Sequence, residues 1–306
     1  MASTDLFEHS PGMWTSRLTT PFSDLGATSI VLRLTAIILL LRPMGPWWVA
    51  PFILSLAGLA LILPRVLAAP GTWYALALLV GLRILEDWPL ADNHIYLLSY
   101  WCLALGLALG SRHSISTIGK SSRILIGLAF LFAVIWKVAL SPDYLDGRFF
   151  RVTFLTDPRF EDVTLLAGGL TAEQVAESRE YLQPLPEGAE LLDPPNLHEP
   201  TRFAFLVLFS TWATILIEAL CALVFLFPLT GRLVLFRHLL LLVFCVTTYA
   251  LAPVAGFGWL LLTMGLATID AEQRPLRVAY LSAWILVLLY DGIPWSRLLV
   301  DWFGLA

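Results

Sequence analysis

Apolar runs separated by short polar connections occupy most of the chain. The runs are roughly 17 to 25 residues long, which is the length that a helix needs to cross a bilayer. This pattern predicts an all-α polytopic membrane bundle of about nine transmembrane helices, with neighbouring helices antiparallel. The predicted spans are residues 27–42, 47–64, 71–86, 94–110, 122–140, 202–228, 233–250, 254–269 and 276–292.

One connection is longer and more polar than the others. Residues 141–200 form a predicted extracytoplasmic loop of about 60 residues. It contains twelve Asp or Glu and four Arg. Thr171 and Gln174 have the spacing of a capping box, which predicts a short amphipathic helix after Thr171. Long loops of compact domains are often functional, so we interpret this one as a small lid, with a passive solvated loop as the alternative.

Composition agrees with a membrane protein. Hydrophobic residues make up 58% of the chain, and the mean hydropathy is +0.79. Residues 1–26 are of mixed polarity and resemble no cleavable signal peptide, so the first span is expected to act as its own insertion signal. Cys102, Cys221 and Cys245 lie in apolar runs without a C-x-x-C pair, so neither a disulfide framework nor a thiol redox site is expected.

The distribution of basic residues predicts the orientation. Short outer connections and the tail carry only Arg42 and Arg297, and the remaining short-loop cations favour a cytoplasmic N-terminus and an extracytoplasmic C-terminus in the cell membrane. The chain then divides into a cytoplasmic segment 1–26, a transmembrane domain 27–292 and a short outer tail 293–306. The predicted cytoplasmic cations are Arg17, Arg65, Arg112, Lys120, Arg123, Arg232, Arg237, Arg274 and Arg277.

Few ionisable residues fall at membrane depth. Placing a charge inside the bilayer is energetically costly, so such residues usually indicate functional sites or contacts between helices. They are Arg33, Arg83, His94, Lys137 and Glu218, with His238 nearer the inner surface. Arg83 can reach Glu86 or Asp87 within one helical turn, which favours a local ion pair. Glu218 has no cation in its own span, so we expect a partner from another span, with Arg33 as a candidate; a structural pair and a direct catalytic role both remain open.

Lys137 is one of only two lysines in the chain and lies near the outer end of its apolar run. Asn93 and His94 begin the preceding span, and antiparallel packing is expected to bring them to the depth of Lys137. A partly desolvated lysine can act as a general base, and the histidine and asparagine can orient hydrogen bonds. The alternatives are a snorkelling lysine and, for Asn93 and His94, a helix cap with an interfacial histidine.

Several sequence elements are similar to those of one known family. They are "DNHIYL" at 92–97, "GLAFLFAVIWK" at 127–137 leading into "PDYLDG" at 142–147, and "FGWLLLTMGL" at 257–266. Together they resemble the transmembrane domain of the vitamin K-dependent gamma-carboxylases, whose bacterial relatives are the HTTM (horizontally transferred transmembrane domain) proteins. The resemblance covers roughly residues 27–270. Tyr144 stands where the family motif has tryptophan, and Cys245 where many members have histidine.

The resemblance implies an activity and a cofactor. Lys137 matches the lysine that deprotonates reduced vitamin K or a related quinol, and His94 and Asn93 match the residues beside it. In the family, oxygenation of the quinol to its epoxide generates a strong base that removes a proton from the gamma carbon of glutamate before carbon dioxide adds. The expected substrate-binding residues are Arg33, Tyr96, Trp136, Tyr144 and Glu218.

Two other function classes compete with the enzyme. A transporter could use the membrane-depth charges as a path, but no convincing inverted repeat relates the two halves of the chain. A non-catalytic membrane subunit or assembly scaffold could bind a protein partner through residues 141–200. Membrane lipid and a lipid-soluble quinol are the other expected partners, and nucleic acid is not expected. The histidines show no metal-ligand spacing, so no metal is expected either.

Overall fold

The computed structural model describes residues 22–42, 45–88, 92–184, 187–188, 197–251, 254–270 and 272–304. Throughout these ranges the regular secondary structure is helical, without a strand, which confirms the predicted all-α class. Residues 1–21 of the predicted cytoplasmic segment and residues 305–306 of the predicted tail lie outside the described residues.

The first half of the chain forms six helices. Five of them occupy the first five predicted spans, and the one-turn α3 follows a break at Pro64. The helices are α1 (Phe22–Leu41), α2 (Ala50–Ile62), α3 (Pro64–Leu67), α4 (Pro70–Glu86), α5 (Asn93–Leu109) and α6 (Ser114–Ile135), which a π-helical turn extends over Trp136–Leu140.

Four short helices then cover most of the predicted outer loop. The capping box at Thr171 is present as predicted, since the Thr171 hydroxyl accepts from the Gln174 N–H and the Gln174 side chain accepts from the Thr171 N–H. The helices are α7 (Pro142–Leu145), α8 (Arg148–Thr156), α9 (Glu161–Gly168) and α10 (Ala172–Tyr181).

The second half contains four long helices and a short last one. They are α11 (Thr201–Leu226), α12 (Arg232–Leu251), α13 (Ala255–Leu266), α14 (Arg274–Gly292) and α15 (Trp295–Phe303). A helix therefore lies in each of the nine intervals predicted as spans.

Within the described residues, three helices are long and apolar enough to cross a membrane: Ser114–Leu140, Thr201–Leu226 and Arg232–Ala250. A fourth is reached if Arg274–Tyr290 and Trp295–Phe303, bent by 62°, count as one span. Shorter apolar helices cover Gly26–Leu41, Ala50–Ile62, Asn93–Leu109 and Gly256–Leu266. These helices together indicate a multi-pass membrane protein.

The middle of α6 approaches the C-terminal end of α11 closely. A Cβ atom built on Gly127 would lie 2.7 Å from the Leu226 side chain, so a larger residue would require Leu226 to move. Glu218 lies eight residues before Leu226, or about 12 Å along α11, and 17 residues after Thr201, or about 26 Å. Helix α6 therefore ends beside the middle of α11.

The outer helices pack along the remaining length of α11. Phe154, Leu165 and Val175 share a buried apolar cluster with Phe203 of α11 and Val300 of α15. A Cβ on Gly147 would lie 2.9 Å from the Val207 side chain, which shows how closely the chain after α7 approaches α11. Residues 142–181 therefore contain a packed apolar cluster, and whether they act as a lid stays a prediction.

Candidate functional site

Lys137 and Glu218 form an ion pair between α6 and α11. The Lys137 Nζ donates to Glu218 Oε1 at 2.6 Å and also contacts Oε2. The side chains are only 15% and 10% exposed, so the pair is held in largely apolar surroundings. The pair links the π-helical turn at the end of α6 to a position 17 residues into α11.

The backbone around Lys137 departs from the α-helix. Ser141 precedes Pro142, and its extended conformation (φ −128°, ψ 85°) ends the helix, as expected before proline. The last turn before this break is π-helical over Trp136–Leu140. Single π-helical turns in α-helices are frequent at functional sites, because the extra residue in the turn changes the direction of the side chains that follow.

Tyr144 covers the pair on the side of the outer helices. The Lys137 Nζ lies 5.4 Å from the centre of its ring, within the range of a cation–π interaction. The Tyr144 ring stacks on Phe149 at 5.0 Å and meets Phe150 edge-on. Burial and then the charge of Glu218 raise the pKa of the Tyr144 phenol, so the phenol stays protonated near neutral pH.

Further polar side chains lie near Glu218. Cys221 follows one turn later on α11, and both Cys221 and Tyr249 of α12 lie within electrostatic range of Glu218. Cys245, one turn before Tyr249, is fully buried and lies near Cys221. Neither Cys221 nor Tyr249 was predicted as a site residue. Cys221 is three residues after Glu218, and Tyr249 is four residues after Cys245, and these helical spacings were the only sequence feature that could have indicated them.

Asn93 and His94 are not brought into contact with Lys137 within the described part of the chain. His94 instead lies 3.9 Å from the Asp92 carboxylate and near the Phe257 ring, while Asn93 is exposed. Helix length explains the difference. Measured from the connected ends of the two helices, His94 lies 15 residues along α5 and Lys137 lies 23 residues along α6, a difference of about 12 Å in distance along the helices.

Other expected site residues are dispersed. Arg33 is exposed on α1, and the candidate pairing of Arg33 with Glu218 is wrong because Lys137 occupies the carboxylate. Trp136 is 62% exposed beside Lys137, and Tyr96 is partly buried on α5. The local pair predicted for Arg83 is confirmed, with its Nε 2.6 Å from Asp87 Oδ2.

Two cavities are present, and neither is lined by Lys137 or Glu218. One of about 720 Å³ is lined by basic residues at the opposite end of α6, and one of about 270 Å³ is lined by Arg159, Tyr249 and Tyr290 among others. The predicted site residues line neither of them. Among the described residues, no group of three or more His, Cys, Asp or Glu could hold a metal ion.

No family model, curated protein or solved structure matches the chain. The geometry of the Lys137–Glu218 pair therefore has to be interpreted from its own chemistry, with the family resemblance as an expectation.

Proposed function

We propose that this protein binds a lipid-soluble quinol beside the Lys137–Glu218 pair and deprotonates it, as the resemblance to the vitamin K-dependent gamma-carboxylases implies. The observation that carries the proposal is a nearly buried lysine and carboxylate, joined at 2.6 Å, next to an aromatic cluster and close to the lipid-facing surface. His94, Asn93 and Arg33 are not assigned to this site.

The proposal includes a topology. Nine helices (α1, α2, α4–α6 and α11–α14) cross the cell membrane, with the N-terminus in the cytoplasm and α7–α10 and α15 on the outer side. Support comes from the coincidence of these helices with nine apolar intervals and from the excess of Lys and Arg in the connections at one end. The pair then lies at the outer end of the helix formed by α6 and its π-helical turn, beside the middle of α11.

The pair has the groups needed to accept a proton. In the ion pair the hydrogen-bonded proton is on Lys137 Nζ, which donates to Glu218 Oε1. Passage of that proton to Glu218 converts two charges into two neutral groups, which the apolar surroundings favour, and leaves the amine free to act as a base. The quinol would supply the acidic hydroxyl and, through its reaction with oxygen, the strong base for removal of a gamma proton. Lys137 then holds the hydroxyl proton at Nζ.

The surroundings suit a hydroxylated ring with an apolar tail. Tyr144, Phe149 and Phe150 provide aromatic faces for stacking, and the buried Tyr144 hydroxyl provides a hydrogen-bonding group. Trp136 and Leu140 are exposed beside Lys137. A substrate dissolved in lipid can therefore approach the pair from the side without crossing the core.

Product analysis tests this function. The protein in nanodiscs is given reduced vitamin K and oxygen, and quinone epoxide is measured above the uncatalysed background. We expect epoxide from wild type and its loss in Lys137→Ala and Glu218→Gln. Arg83→Gln, which removes a more exposed ion pair in α4, is the matched control and should retain the activity. Absence of epoxide from folded wild type, or activity that survives Lys137→Ala, would refute the proposal.

A scaffold role is the second candidate, and one observation favours it. The outer helices form their own apolar cluster, while α15 leaves Trp302 84% exposed, together with Phe303 and Leu298. This surface could hold a protein partner. In that case Lys137→Ala leaves the cellular function intact, whereas substitutions in α8–α10 abolish it.

A further inference from the structure

The larger cavity lies at the opposite end of the bundle from the Lys137–Glu218 pair. Its volume is about 720 Å³, within the range of small-molecule sites. It is enclosed by the first turns of α1 and α6, by α12, by the end of α13 with the turn that follows, and by α14. In the proposed topology this cavity opens to the cytoplasm or to the inner membrane surface.

The lining of this cavity is strongly cationic. Five basic side chains face a single carboxylate, Asp270, which leaves an excess of four positive charges with His113 neutral. Among the described residues, none of the five basic side chains forms an ion pair. The five are Arg112, Lys120, Arg123, Arg237 and Arg277.

Arg237 is the most informative of these residues. It is only 7% exposed, and its Nε has no hydrogen-bond partner within the described residues; its contact is with the Phe225 ring, 5.6 Å from the guanidinium carbon. The Nε of Arg277 is also buried and without a partner. The positive-inside rule explains basic residues in solvated connections, but it does not explain a buried arginine that forms no ion pair.

The start of α6 adds donors to the same cavity. Ser114 and Ser116 line it, and the N-cap residue His113 provides no side-chain cap for the first N–H groups of the helix. Free N–H groups and the positive end of the helix dipole favour an anion at this position. The helix start and the buried arginine are independent observations, and both indicate a negatively charged ligand.

We propose that this cavity binds a phosphate-bearing anion. Guanidinium groups and helix N–H groups match the several oxygens of a phosphate, and the volume is larger than a lone carboxylate would fill. The same chemistry is offered by an anionic phospholipid head group and by a soluble phosphate compound. Val31, Ile118 and Leu266 give the cavity an apolar side, so it can accommodate either source.

The test uses the full chain and two probes. In phosphatidylcholine nanodiscs, inorganic pyrophosphate is titrated while thermal unfolding and binding heat are measured. In detergent, retention of phosphatidic acid is compared with that of phosphatidylcholine by native mass spectrometry. Saturable pyrophosphate binding indicates a soluble ligand, and selective retention of phosphatidic acid alone indicates a lipid head group.

Variants connect the binding to the cavity. Arg237→Gln should weaken the bound probe roughly tenfold, because a charge-assisted hydrogen bond is lost. Arg232→Gln is the matched control, since it removes an exposed charge from the same helix outside the cavity, and it should leave affinity unchanged. If Arg237→Gln does not fold, the exposed pair Lys120→Gln with Arg112→Gln should weaken binding instead.

Binding of neither probe by folded wild type would overturn the proposal, as would equal affinity in wild type and the cavity variants. The proposal does not rest on quinol chemistry. Epoxide formation is measured without pyrophosphate or phosphatidic acid, so failure of one experiment is distinguishable from failure of the other.

Discussion

Replacement of Glu218 by glutamine would leave the Lys137 ammonium without its carboxylate in a position that is only 15% exposed. Loss of one partner from a buried ion pair typically costs about 3–5 kcal/mol, because the remaining charge is uncompensated. An ordinary interhelical hydrogen bond in a membrane protein contributes about 0.6 kcal/mol on average. The difference between these two free energies is large enough to show whether Lys137 and Glu218 form a buried ion pair or an ordinary interhelical hydrogen bond. Since glutamine can still accept one hydrogen bond, we expect a loss of about 3 kcal/mol, the lower end of the range.

The double variant Lys137→Met with Glu218→Leu should recover most of this loss. Replacement of both charges by apolar side chains of similar size removes the desolvation cost together with the attraction, and such changes are often neutral or stabilising. The coupling energy between the two positions should therefore exceed about 2 kcal/mol.

Reversible unfolding in mixed micelles, followed by tryptophan fluorescence and circular dichroism, measures these free energies. Arg83 and Asp87 provide the matched control, since their side chains are 30% and 27% exposed and the pair should contribute less than about 1 kcal/mol. The interpretation as a buried ion pair would be refuted if the single variants lowered the free energy of unfolding by less than about 1 kcal/mol. It would also be refuted if the double variant lost as much stability as the two single variants together. A stable double variant that makes no epoxide would separate the catalytic role from the structural one.

Three further outcomes are expected. Gly127→Leu should destabilise the protein by about 1–3 kcal/mol in the same unfolding assay, because a Cβ atom at this position lies 2.7 Å from the Leu226 side chain of α11. Gly58→Ala is the control and should leave the stability unchanged, because a Cβ atom on Gly58 has no other atom within 4 Å. Gly147→Ala should cost about 1–2 kcal/mol from its left-handed backbone (φ +81°) alone, measured as a lower unfolding midpoint. Hydrogen bonds from Arg159 hold the pKa of Asp157 below its usual value. The stability that this carboxylate contributes is therefore present above pH ~4 and is lost as the pH falls through its folded-state pKa. Asp157→Asn should lower the thermal midpoint at about pH 7 but not in strong acid.

Local features were predictable from the sequence. Lipid requires every backbone hydrogen bond to be satisfied within the segment, so each apolar interval had to be helical, and helices are found in all nine intervals. The capping box at Thr171 depends only on residues three apart and is present as predicted. Helix α6 begins eight residues before the predicted span at 122–140, because residues 114–121 are mostly polar yet helical, and hydropathy reports burial in lipid rather than helicity.

The candidate site was predictable only in part, because contacts between helices depend on their relative height. Lys137 and Glu218 were each recognised as costly, yet their pairing follows from the close approach at Gly127, which sets α6 against the inner half of α11. Hydropathy carries no information on that register. The same lack of information on helix register explains why His94 was expected beside Lys137. Measured from the connected ends of α5 and α6, the two residues differ by about 12 Å in distance along their helices.

Helix α6 carries both lysines of the chain and connects the two proposed sites. Arg123 in the cavity and Lys137 in the pair are 14 residues apart, or about 21 Å. At an effective dielectric constant of about 20, two unit charges at this separation interact by about 0.8 kcal/mol, less than the energy of a tenfold change in an equilibrium constant. The residues of α6 between them carry no charge that could relay the interaction. An anion in the cavity therefore leaves proton transfer at Lys137 nearly unchanged by electrostatics alone, and any strong coupling between the two sites would have to come from movement of α6 itself.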